Sequence, residues 1–171
     1  MTRGAAALAA ALTLGGCLPT VTLPAASADP RFDPVAFFAG ETEGSGTLTT
    51  LTGQRQALQV ASVGRTDGVG GLVLDQRIAL VGEPVRMRRW TIRPVAPGRF
   101  TGTLTEAIGP VEGLVTGNRM TIRYRTKDYA VRQVLALQPG GAVRNRLDIV
   151  KWGLNVARLD ETILRKERPA R

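Results

Sequence analysis

From Glu41 onward the chain alternates apolar and polar residues with a period of two, interrupted only by short turn signals. That pattern constrains the fold more than any other feature. Leu72, Leu74, Gln76, Ile78 and Leu80 fall on one face of an extended segment, and Val73, Asp75, Arg77 and Ala79 on the other. Side chains in a strand alternate between faces, so such a run reads as a half-buried strand. Comparable runs occupy about 43–51, 54–63, 85–93, 99–107, 111–116, 119–126, 129–138, 143–150 and 156–165. Asp67-Gly68, Gly82-Glu83-Pro84, Pro94 to Gly98, Gly109-Pro110, Gly117-Asn118, Lys127-Asp128 and Pro139-Gly140-Gly141 separate them. Gly-Asn and Asp-Gly pairs are hairpin signals. None of these connections is long enough for a crossover helix, so neighbouring strands should pair antiparallel. A meander of this length leaves two unpaired edges unless it closes. The expectation is an all-β domain: a single antiparallel up-and-down barrel of about eight to ten strands.

The apolar faces carry no continuous lipid-facing band and no aromatic girdles, which argues for a soluble barrel with an apolar interior rather than a membrane barrel. One short helical turn should precede the strands. In Phe32-Asp33-Pro34-Val35-Ala36-Phe37-Phe38-Ala39-Gly40, Asp33 suits the N-cap, Pro34 the first helical position, and Gly40 the end. Phe32 and Phe37 stand at the spacing of a hydrophobic staple. This turn should cover one end of the core.

The N-terminus has a different character. Met1-Thr2-Arg3 followed by an apolar run to Leu14 is the pattern of an export signal. A retained membrane span is disfavoured because Gly15, Gly16 and Pro19 interrupt the apolar window. Leu14-Gly15-Gly16-Cys17 resembles the lipobox of bacterial lipoproteins, in which the cysteine thiol is acylated and becomes the new N-terminus. Cys17 is the chain's single cysteine, so no internal disulfide can form and stability must come from packing. A rival cut follows Ala26-Ser27-Ala28 and would release a protein without Cys17. The expected organisation is a signal peptide over 1–16, a flexible tether over 17–31 rich in small residues and proline, and a barrel over 32–171. Leu18 after the cysteine, by likeness to enterobacterial sorting, points to the periplasmic face of the outer membrane. The alternative is a soluble periplasmic or secreted protein.

Composition narrows the chemistry. There are no histidines, which removes the commonest general base and metal ligand. An acylated or excised Cys17 leaves no thiol nucleophile. Ser45 lies in Gly44-Ser45-Gly46, not in a nucleophile elbow. Asp160 and Glu161 are adjacent and should point to opposite faces of one strand, so they cannot work on one bond. No enzyme, metal site or cofactor is expected. The formal charge of +9 favours anionic partners such as lipid head groups or acidic amphiphiles; nucleic acid is a poor partner for an exported protein.

Three segments carry candidate sites. In Arg86-Met87-Arg88-Arg89-Trp90-Thr91-Ile92-Arg93, Arg86, Arg88, Trp90 and Ile92 share a face. If Trp90 faces inward, Arg88 lies nearer the mouth and can pair with a carboxylate or phosphate. A surface arginine stripe beside a core tryptophan is the simpler alternative. In Thr121-Ile122-Arg123-Tyr124-Arg125, Ile122 and Tyr124 should face inward, leaving both arginines in solvent. Arg88, Trp90 and Tyr124 are therefore the ligand-binding candidates. Lys151-Trp152-Gly153 sits in a loop between the last two strands, where an exposed Trp152 beside Lys151 would suit a membrane interface or partner, and a buried one would cap the barrel.

The order of motifs also carries a resemblance. A lipobox and tether precede Phe32-Asp33, Phe37-Phe38-Ala39-Gly40, Arg88-Arg89-Trp90-Thr91-Ile92, Phe100-Thr101-Gly102, Val111-Glu112-Gly113, Gly117-Asn118, Asn145-Arg146 and Lys151-Trp152-Gly153. This resembles a proteobacterial lipoprotein family of unknown function with a lipocalin-like barrel. The resemblance implies that fold and an envelope location, and supplies no activity or catalytic residues. One departure stands out: the family pattern has an acidic-Trp-Met segment where this chain reads Arg132-Gln133-Val134-Leu135. If that segment lines the pocket, the ligand differs or the site is lost. The functional expectation is an envelope lipoprotein that binds an apolar or amphiphilic anion in its barrel. The alternative is an adaptor lipoprotein with no pocket that docks an envelope partner.

Overall fold

A computed structural model describes residues 22–166. Ten strands follow one short helix: α1 (Pro34–Phe38), β1 (Gly40–Thr50), β2 (Arg55–Thr66), β3 (Leu72–Leu80), β4 (Arg86–Ala96), β5 (Arg99–Leu104), β6 (Val111–Thr116), β7 (Arg119–Arg125), β8 (Ala130–Leu137), β9 (Val143–Lys151) and β10 (Leu154–Arg165). Each strand pairs antiparallel with its sequence neighbour, and β1 pairs with β10 from Thr42↔Arg165 to Thr50↔Ala157. The sheet is thereby a closed barrel with no free edge. This matches the all-β, up-and-down expectation.

Closure gives the period-two pattern its meaning. Leu58, Val60 and Ser62 of β2 are buried, while Ala57, Gln59 and Ala61 between them are exposed. On β4, Arg89 faces out and is bound with Arg65 to Asp75 of β3, at 2.6 and 3.1 Å. Those two guanidiniums hold the Asp75 carboxyl below the usual carboxylate range, the hydrogen bond from Arg89 contributing most. Arg123 and Arg125 are also exposed.

The two ends of the barrel differ. At one end α1 forms a floor. Asp33 Oδ1 accepts a hydrogen bond from Ala36 N at 3.0 Å, which caps the helix as its sequence predicts. The Phe32 and Phe37 rings meet edge-to-face at 5.7 Å, and Phe37 and Phe38 at 4.9 Å, so the staple is an aromatic cluster. At the other end the β1–β2, β3–β4, β5–β6, β7–β8 and β9–β10 connections surround a mouth.

The segment ahead of the helix lies against the floor end. Asn118, in the β6–β7 turn, is buried and accepts from Ser27 N at 2.9 Å through Oδ1; its Nδ2 donates to Ala25 O and to Leu137 O, both at 3.2 Å. Asn118 N donates to Ser27 O at 2.9 Å, Phe32 N to Gly117 O at 2.8 Å, and Arg119 to Pro24 O. Within the stretch 17–31 expected as a flexible tether, Pro24, Ala25 and Ser27 are thus held to the barrel, as is Phe32 just after it. The proposed signal peptide and Cys17 lie outside the described residues.

Candidate functional site

The barrel is not filled. A cavity of about 580 Å³ runs from the α1 floor, where Pro34 and Phe38 line it, to the mouth, where Pro84, Arg86 and Tyr129 do. Its size falls in the usual range for small-molecule sites. Most of the wall is apolar, because the inward stripe of each strand is apolar: Leu74 and Ile78 of β3, Ile122 of β7, Leu147 of β9, Leu159 of β10.

Trp90 is in this wall, 5 % exposed, with Nε1 donating to Gln76 Oε1 at 2.7 Å. Gln76 Nε2 in turn donates to Ser62 Oγ at 3.2 Å. The indole is thereby fixed at both its polar and its apolar parts. Arg88 also lines the cavity, next to the mouth, in a close ion pair with Glu106 from the loop after β5. Both side chains are partly buried, at 25 % and 29 % exposure. Arg88 therefore enters the site already neutralised, and an anionic ligand group must displace Glu106 to use it fully.

Tyr124 does not line the cavity. It is buried behind Trp90, in an edge-to-face contact at 5.7 Å with the rings at 90°. Burial pushes its hydroxyl pKa well above the usual tyrosine value. It is a support for the indole, one step removed from any ligand. The inward placement read from alternation is the observed one; β7 leans its Tyr124 against β4 rather than into open space.

Sequence reasoning missed the most polar part of the wall. Gln133 of β8, Asn145 of β9 and Glu161 of β10 all line the cavity and are buried. Gln133 Nε2 donates to Asn145 Oδ1 at 2.9 Å, and Asn145 Nδ2 to Glu161 Oε2 at 2.7 Å. Burial raises the Glu161 carboxyl pKa, and the bond from Asn145 and the charge of Arg88 oppose that rise. In the sequence, Glu161 reads as half of an adjacent acidic pair. Asp160 does face the other way, bound to Arg146 at 3.1 Å, and that leaves Glu161 alone on the inner face. The available signal was one polar residue in an otherwise apolar inward stripe on each strand: Val131-Gln133-Leu135, Val143-Asn145-Leu147 and Leu159-Glu161-Ile163.

Lys151 and Trp152 stand at the mouth end, in the β9–β10 hairpin. Trp152 is 85 % exposed and does not cap the barrel. The Lys151 ammonium lies 4.6 Å from the indole centroid. Trp152 has φ 51° and Gly153 φ 80°, the left-handed pair of a two-residue hairpin turn. A tryptophan there costs roughly 1–2 kcal/mol of backbone strain. Val81, Ile108 and Leu154 are exposed on neighbouring connections of the same end.

A family model described as "Protein of unknown function (DUF3833)" matches residues 11–165. No curated protein matches the chain in sequence. Among solved structures, an S-type phycobiliprotein lyase from Guillardia theta is similar at 6 % identity, with a TM-score of 0.64 over 78 % of this chain and 91 % of that one. Rv2717c from M. tuberculosis is similar at 16 % identity, with a TM-score of 0.59 over 80 % and 99 %. These are lipocalin-like folds, and at such identities the likeness concerns the fold alone. It also overturns one expectation. A phycobiliprotein lyase is built on this barrel, so the expectation of no enzyme, drawn from the absence of histidine and of a nucleophile motif, does not stand.

Proposed function

Taking as premise that the chain belongs to the DUF3833 family, we propose that it is an envelope lipoprotein whose barrel takes up an apolar or amphiphilic anionic small molecule. The observation that carries this reading is the unfilled cavity of about 580 Å³, apolar along most of its wall and open at a mouth that holds Arg88. An apolar ligand body buried there gains roughly 25 cal/mol for each Å² removed from water. An acidic head at the mouth exchanges with Glu106 for the Arg88 guanidinium, one charged hydrogen bond for another. An adaptor with a packed interior is disfavoured by the same cavity.

Acylation at Cys17, and a place on the periplasmic face of the outer membrane, belong to this proposal. The Asn118 clasp supports retention of residues 24–28 in the mature protein, because a cut after Ala28 would discard the partners of a buried asparagine. The clasp lies at the end opposite the mouth. That supports an orientation in which Lys151, Trp152 and the apolar connections beside them face away from the anchoring membrane, toward a second membrane surface or a partner.

The test is native mass spectrometry of the full chain made in a bacterial envelope. An amphiphile should co-purify with the wild type and be lost from Leu74→Trp, which fills the cavity. A wild type that carries no amphiphile and binds no fluorescent fatty acid overturns the reading.

A further inference from the structure

The polar trio on the β8–β10 wall has a direction. Glu161 Oε2 accepts from Asn145 Nδ2, so Asn145 Oδ1 must turn to Gln133, and Gln133 must present its Nε2. Each amide orientation follows from the carboxyl at the end of the chain. The remaining oxygen, Gln133 Oε1, is buried without a partner. Glu161 engages this network through Oε2, and its side chain lines the cavity. An apolar wall would avoid these costs, since an unsatisfied buried acceptor is worth roughly 1–3 kcal/mol of lost stability.

The fold also makes room for this carboxyl. A Cβ on Gly44 of β1 would stand 1.8 Å from Glu161 Oε1 and 2.8 Å from its Cδ, whereas one on Gly46 would meet backbone first, at 2.4 Å from Asp160 O. Gly44 thus gives up a wall side chain where the Glu161 carboxyl sits. Arg88 acts on Glu161 electrostatically across the same cavity, without a hydrogen bond to it.

We propose that Glu161, oriented by Asn145 and Gln133, is a second polar subsite of the cavity, one that accepts a hydrogen bond from a neutral hydroxyl or N–H group carried on the apolar body of the ligand. This rests on the ligand-binding reading above and adds a requirement to it: the ligand is polar at two points, its acidic end and a donor set within its apolar length. A neutral donor fits better than an ammonium, because desolvating a full charge inside an apolar wall is far costlier. Glu161 serves in either protonation state, since a neutral carboxyl also keeps an acceptor oxygen.

The experiment uses the purified full chain loaded with N-phenyl-1-naphthylamine and titrated with tetradecanoate or with hydroxytetradecanoates bearing the hydroxyl at different carbons. At least one hydroxylated acid should displace the fluorophore at about tenfold lower concentration than tetradecanoate, the value of one hydrogen bond of ordinary strength. Glu161→Leu should abolish that preference, read as the ratio of the hydroxylated acid to tetradecanoate within the same variant; Glu161→Gln, whose amide still accepts, should keep part of it. Circular dichroism confirms that each variant is folded, and Glu161→Gln alone carries the comparison if the leucine variant is not. Equal affinity for all the acids, or a preference that survives both substitutions, overturns the subsite while leaving the cavity reading intact. Failure of every acid to displace the fluorophore overturns both.

Discussion

Replacing Asn118 by alanine tests whether the segment before α1 is part of the folded unit. Its side chain makes three hydrogen bonds, two to the segment and one to Leu137 O of the barrel wall. Each is worth about 1 kcal/mol net, and the site is buried, so water does not readily replace them. The expected loss is about 2–3 kcal/mol of unfolding free energy. For a domain of this size that corresponds to a fall of roughly 6–9 °C in Tm. Gly117 makes the docking close: a Cβ there would stand 1.9 Å from Ser27 O. A thermodynamic cycle isolates the clasp. In a chain that begins after Ala28, Asn118→Ala removes only the bond to Leu137 and should cost about 1 kcal/mol, leaving a coupling of about 1–2 kcal/mol with the segment. Urea unfolding gives the four free energies, and hydrogen exchange reads the amide of Ser27 directly. If Asn118→Ala costs the same in both chains, or Ser27 exchanges as fast in the wild type as in the variant, the segment is not held by this residue.

Other expectations follow from the same contacts. Glu161 has a raised pKa when folded, so the native state holds its proton more tightly than the unfolded one; its stabilising effect is complete below the unfolded value and is lost as pH rises through the folded value. Urea titrations from about pH 4 to pH 8 should show that fall in the wild type and a shallower one in Glu161→Gln, and parallel curves would refute it. Trp90→Ala should cost about 3–5 kcal/mol, because it removes a buried ring and strips Tyr124 of its edge-to-face partner; a loss below 1 kcal/mol would mean that the wall around it is not packed as described. Labelling with radioactive palmitate should mark the wild type and not Cys17→Ala, and equal labelling would retire the anchor. Trp152→Ala should weaken adsorption to vesicles containing anionic lipid without changing Tm, and unchanged adsorption would remove the mouth from consideration as a membrane contact.

The local signals were legible because they depend on near neighbours. Period-two alternation sets which side chains share a face, so the grouping of Leu72, Leu74 and Ile78 on β3 and of Arg88, Trp90 and Ile92 on β4 followed from spacing, while the closed barrel decided that these faces turn inward. Asp33, Pro34 and the Phe32–Phe37 pair specify α1 within nine residues, and the structure forms it as those residues predict. Short turns permitted only antiparallel neighbours, and an unpaired edge at each end of the meander favoured closure.

Register and depth were decided by the tertiary structure. Alternation puts Tyr124 inside, yet only the packing of β7 against β4 puts it behind Trp90 instead of beside a ligand. Arg88 reads as a free cation until the loop after β5 brings Glu106 to it. The small residues and prolines before α1 read as slack chain, until the β6–β7 turn, some ninety positions later, supplies Asn118 as their partner. The cavity itself has no local signature, since its volume depends on how ten walls and a floor fit together. Gln133, Asn145 and Glu161 each look like a lone blemish on an apolar stripe. Pairing of Asn145 with both Leu135 and Glu161 across two interfaces turns them into one hydrogen-bonded row. The alternation of a strand specifies a face, but contact between strands depends on their offset, and that offset is set by closure of the whole barrel.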